Sequence, residues 1–110
     1  FSFCCAVPAI IKKKSNKDIN FFENIGANIG LLFQIADDLI DFNGLSKVAG
    51  KITRKDMKKG KATLISLLGY QNAIMYSDKI KFKIIKDLNK HSSNSSNLNE
   101  TLDYILTRNK

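Results

Sequence analysis

The residues best equipped for chemistry are Gln34, Asp37, Asp38 and Asp41. At about 100° per residue, Gly26, Gly30, Gln34, Asp37 and Asp41 fall within one narrow arc of a helix, beside an apolar stripe. Asp37 and Asp41 stand one turn apart, where like charges repel and a bound divalent cation removes the repulsion. Carboxylate oxygens are hard ligands suited to Mg²⁺, which takes one or two of them and fills its shell with water and phosphate oxygens. Such a helix offers half a metal site, and a phosphorylated ligand must supply the rest. Two interior glycines sacrifice roughly 1 kcal/mol each relative to alanine. In return they open a groove for an apolar ligand or a neighbouring helix.

Asp-Asp-x-x-Asp also occurs as a plain solvated helix face, and helix glycines also serve as packing devices. What separates this chain is the stretch immediately downstream: Gly50-Lys51, Asp56 and Gly60-Lys61-Ala62-Thr63. Seven basic residues lie between Lys47 and Lys61 against the single acid Asp56, so the net charge of +8 is concentrated there. That cluster asks for an anionic partner: nucleic acid, acidic lipid or a phosphorylated small molecule. A lysine neutralises a diphosphate as a point charge. Carboxylate-bound metal followed by a basic loop would grip a diphosphate leaving group from both sides.

The elements that must position these groups read as helices. A short apolar helix is expected over about Ser2 to Lys12, kinked or started late by Pro8. A second runs from Asp18, its expected N-cap, to Phe42. Its stripe is Phe22, Ile25, Ile29, Leu32, Phe33, Ala36 and Ile40, and Asn43-Gly44 is expected to end it. After the basic loop, Thr63 is expected to cap a third helix that continues past Gly69-Tyr70, with some irregularity, to about Asn89. The Ser/Asn-rich stretch from His91 to Asn97 reads as an exposed linker before a last helix, Leu98 to Thr107.

At 110 residues, 44% of them hydrophobic and 25% charged, one modest globular domain is expected and two are not. The opening apolar run is too short to span a membrane, and its lysines (Lys12, Lys13, Lys14) follow it instead of preceding it as in a secretory signal. Cys4 and Cys5 are adjacent and poorly placed to bridge each other; both are expected to be small buried residues in a reducing, cytoplasmic setting. The one histidine, His91, has no zinc-type spacing and is expected to be an exposed linker residue. Phe1, Phe3, Phe21, Phe22 and Phe82 are expected in the core, and Lys79, Lys81, Lys83 and Lys86 on a solvated face.

The run from Gly30 to Phe42, with Gly50-Lys51, Asp56 and Gly60-Lys61-Ala62-Thr63 after it, resembles the polyprenyl synthetases, and among them the bacterial farnesyl diphosphate synthases. The ending, Leu102 to Lys110, is similar to their usual C-terminus. The resemblance implies the all-α fold of the isoprenoid synthase bundle, with residues 1–110 its C-terminal part and the first aspartate-rich motif absent. It implies that Asp37, Asp38 and Asp41 bind Mg²⁺, Asp37 directly and Asp41 through water. Gln34 and Lys51 would contact the allylic diphosphate, with Lys61 near the site and Arg108 and Lys110 in a tail that helps close it. Asp37, Asp38 and Lys51 would carry the catalytic burden.

The implied reaction condenses an allylic diphosphate with isopentenyl diphosphate into a geranyl- or farnesyl-length product. An allylic carbocation forms in a water-poor cavity, and no protein nucleophile is needed. A homodimer is implied for the full-length enzyme, with neither nucleic acid nor stable membrane insertion, and the isolated segment is expected to be inactive. Arg54 stands where relatives often have glycine, and Ile65 where they often have proline. Two other classes compete: a non-catalytic prenyltransferase-like subunit, which a lost first motif would favour, and a small basic nucleic-acid-binding helical protein. Against the last stands the lack of aromatics interleaved with the 47–61 cluster.

Overall fold

The computed structural model describes residues 1–48, 64–91 and 96–107, and these form helices with no strand among them. In chain order they are α1 (Ser2–Ile11), α2 (Asn16–Val48), α3 (Leu64–Leu68), α4 (Tyr70–His91) and α5 (Ser96–Thr107). The all-α expectation holds.

Pro8 lies inside α1, where it deletes the amide that would have bonded the Cys4 carbonyl, and the helix continues through it. Its C-terminus closes as a Schellman motif: the Lys14 N–H donates to Ala9 C=O at 2.9 Å and the Lys13 N–H to Ile10 C=O at 2.9 Å. Lys13 occupies the left-handed position usually given to glycine, at φ 48°. Ser15 then caps α2. Its Oγ accepts the Asp18 N–H at 3.2 Å while its hydroxyl donates to Asp18 Oδ2 at 2.8 Å. Asp18, expected to be the cap, sits instead in the first turn as the cap's partner.

α2 is longer than expected, running through Asn43-Gly44 to Val48. Gly44 keeps helical geometry with nothing within 4 Å of where a Cβ would stand. Just before it, the Phe42 ring stacks on Tyr70 at 5.2 Å, anchoring this part of α2 to the start of α4. The third expected helix is in fact two. Gly69 adopts φ +82°, and its N–H bonds Ile65 C=O while its C=O accepts the Ala73 N–H, so one helix closes as the next begins.

The core gathers Ile25, Ile29, Leu32, Ile35 and Ala36 of α2, Ile80, Ile84 and Leu88 of α4, and Leu102 and Ile105 of α5. Leu32, Ile35, Ile84 and Leu102 are fully buried. Each such side chain contributes about 1.5–3 kcal/mol on leaving water. Ile25, Ile29, Leu32 and Ala36 come from the expected stripe, whose Phe22, Phe33 and Ile40 are half-buried. Ile35 widens it.

Several apolar expectations fail. Phe1, Phe3 and Phe82 are 57%, 72% and 68% exposed: α1 and α4 each bury one face and the Phe3 and Phe82 rings stand on the other, while Phe1, just ahead of α1, lays its ring on the surface of α2. Cys4 is exposed and Cys5 half-buried. Burial pushes the Cys5 thiol up from its ordinary value; the nearby N-terminal charge opposes this and Cys4 adds to it. His91 belongs to α4, not to a linker. Its ring packs on Phe21 at 4.5 Å and Phe22 at 5.2 Å, and its Nε2 lies 3.3 Å from Asp18 Oδ1. Lys81 leaves the expected lysine face and pairs with Asp103 of α5. No helix among the described residues is long and apolar enough to cross a membrane.

Candidate active site

The glycine face of α2 is where α1 docks. A Cβ on Gly26 would lie 2.6 Å from the Phe1 carbonyl oxygen and 2.7 Å from Ser2 Cα, so only a hydrogen lets the backbones approach this closely. One turn on, a Cβ on Gly30 would meet the Phe1 ring at 3.3 Å. The neighbouring helix thus takes the Gly26 end of the furrow, and the furrow continues along α2 as an open groove.

That groove has a volume of about 520 Å³ and is lined by Phe1, Ser2, Gly26, Ala27, Gly30, Phe33, Gln34 and Asp37. The Phe1 and Phe33 rings meet at 5.5 Å and supply its apolar wall. Gln34 and Asp37 are exposed and supply polar groups one and two turns beyond Gly30. Asp41 is exposed on the same arc, a further turn along and outside the lining. Gln34 and Asp37 are therefore brought together on one groove, with Asp41 in line.

Asp38 faces elsewhere. Its Oδ2 accepts the Leu64 N–H at 3.3 Å and so ties the first residue of α3 to the middle of α2. Half-buried, it serves as a cap on the next helix whatever else its carboxylate does. Ile65, next along, is buried. Among the described residues, no group of three or more His, Cys, Asp or Glu side chains is drawn together tightly enough to hold an ion unaided.

Lys51, Lys61, Arg108 and Lys110 lie outside the described residues, as do Gly50, Arg54, Asp56, Gly60, Ala62 and the expected cap Thr63. Phe33 is the groove residue that sequence reasoning assigned to the core stripe. A signal was present: at about 100° per residue it falls only some 20° from Gly26, on the border of both faces. Phe1, Ser2 and Ala27 carried no such signal.

A model of the family described as polyprenyl synthetase matches residues 1–105. The chain belongs to the polyprenyl synthetase family. This polyprenyl synthetase chain is 34% identical over 107 residues to a farnesyl diphosphate synthase of Micrococcus luteus, covering 92% of this chain and 35% of that protein. It is 31% identical over 101 residues to a geranylgeranyl diphosphate synthase of Cyanophora paradoxa, covering 92% and 34%. It is 37% identical over 79 residues to a decaprenyl-diphosphate synthase of Dictyostelium discoideum, covering 72% and 17%. The chain spans about a third or less of the length of these curated relatives. No solved structure matches it significantly.

Proposed function

We propose that these 110 residues are the diphosphate-gripping part of a prenyltransferase that joins an allylic diphosphate to isopentenyl diphosphate. The observation that carries the reading is the α2 groove: aromatic and glycine walls lead to Gln34 and Asp37, with Asp41 one turn farther on. The walls suit the hydrocarbon of an allylic substrate and the polar end suits its head. Names of relatives span products of several lengths, and the preference for a geranyl or farnesyl product stays with the motif resemblance.

The donor set fits Mg²⁺. Asp37 and Asp41 are exposed hard-oxygen ligands on one face, and a magnesium ion bound there would neutralise negative charge developing on a departing diphosphate. With two carboxylates on that face among the described residues, phosphate and water would complete the shell, which suits an ion that arrives with its substrate. Asp38 joins the set through whatever capacity its bond to Leu64 leaves. Gln34 orients the head group by hydrogen bonding, while Phe1 and Phe33 keep water from the hydrocarbon. Lys51 and Lys61 supply positive charge, and Arg108 and Lys110 close the tail over the site. An active enzyme of this kind would be a cytoplasmic homodimer in which a first aspartate-rich motif faces this one.

Titration calorimetry of the chain with geranyl diphosphate tests this. Binding is expected in Mg²⁺, lost in EDTA and lost in Asp37→Ala, with helicity unchanged. In the longer enzyme the same substitution should lower kcat by about 10²–10³. Equal binding with and without Asp37 would remove that residue from the mechanism.

A further inference from the structure

The outward face of α4 carries a pattern that the groove does not use. Met75, Lys79, Phe82, Lys83, Lys86 and Lys90 fall within an arc of about 100°. Met75 is 56% and Phe82 68% exposed, and the four lysines are exposed as well. None of these lysines forms an ion pair among the described residues, whereas Lys81, on the inward side, is paired with Asp103. Asp78 and Asp87 flank the arc at its edges without entering it. From Lys79 to Lys90 the charges run about 16 Å along the helix.

A solvated lysine face accounts for the charge but not for an aromatic ring left two-thirds in water along its edge. We propose that this face is a peripheral docking surface for an anionic lipid bilayer. Four unpaired cations in a row complement a plane of negative head groups. Phe82 and Met75, along one edge of the lysine strip, reach below the head groups into the acyl boundary, as the apolar residues of an interfacial helix do. α4 needs no rearrangement to bind, because its opposite face, with Ile80, Ile84 and Leu88, is already seated in the core. The surface lies on a different helix from Gln34, Asp37 and Asp41, so the two readings stand or fall separately.

Cosedimentation of the chain with vesicles tests it, using pure phosphatidylcholine against phosphatidylcholine containing 30% phosphatidylserine. The expected result is retention on the anionic vesicles only, weakening steeply between 50 and 500 mM salt. Replacing two lysines (Lys83→Glu with Lys86→Glu) should lower partitioning at least about twenty-five-fold, taking roughly five-fold for each lysine lost near the surface. Phe82→Ser should lower it roughly tenfold at unchanged charge. Asp37→Ala should bind vesicles as the parent does. The proposal is overturned if the α4 variants bind like the parent, if Lys12→Glu with Lys14→Glu abolishes binding instead, or if polyuridylate displaces the chain from the vesicles at equal salt.

Discussion

The contact between α1 and α2 makes a quantitative prediction, because three glycines of α2 differ only in what a methyl group would meet. At Gly44 it meets nothing within 4 Å, so Gly44→Ala should show the bare helix-propensity gain of about 1 kcal/mol. At Gly30 it meets the Phe1 ring at 3.3 Å, the end of a side chain that can turn, so most of that gain should survive. At Gly26 it lies 2.6–2.8 Å from backbone atoms of Phe1 and Ser2, about 0.8 Å inside the 3.4 Å where ordinary contact begins. Backbone has no rotamer to yield, so α1 itself must shift. Overpacking of this kind costs about 1–3 kcal/mol, which cancels or outweighs the propensity gain. Gly26→Ala should therefore melt below Gly44→Ala by about 1–3 kcal/mol, or roughly 5–20 °C in a domain of this size. Thermal unfolding followed by circular dichroism reads it directly. Equal melting of the two variants would show that α1 does not pack on Gly26, and the groove wall built from Phe1 would go with it.

Other perturbations have equally definite signs. Lys13→Gly should raise the melting temperature, since it relieves a left-handed residue strained by about 1–2 kcal/mol at the end of α1; an unchanged melt argues against the Schellman closure. Asp18 is held below the usual carboxylate value, first by the Ser15 hydroxyl and then by His91. A depressed folded value means stability that is present above the ordinary carboxylate range and lost as pH falls through the lowered value. The gap in melting temperature between parent and Asp18→Asn should then close in strong acid, and a gap independent of pH would contradict the pairing. Alkylation at pH 8 followed by mass spectrometry should label Cys4 before Cys5, because one thiol is exposed and burial raises the other.

Local chemistry was legible in the sequence wherever the partner lay within a few residues. The period of Ile25, Ile29, Leu32 and Ala36 gave the buried side of α2, and its glycines gave the furrow. Turn chemistry misled at Asn43-Gly44, where Phe42 stacking on Tyr70, far along the chain, accompanies a helix that its own residues would end. His91 was misread for the same reason: Asp18, Phe21 and Phe22 are remote in sequence, and nothing around His91 announces them. Asp38 shows the limit within the site itself. Its type and spacing match its neighbours, yet only the fold reveals the amide of Leu64 on its oxygen.

That last bond also bears on how the family can vary. By joining positions 26 apart, it sets the start of α3 beside the acidic turn of α2. Losing the acceptor would cost about 0.5–1.5 kcal/mol and release that register. Natural variants of this protein should therefore keep an oxygen acceptor, Asp or Asn, at position 38.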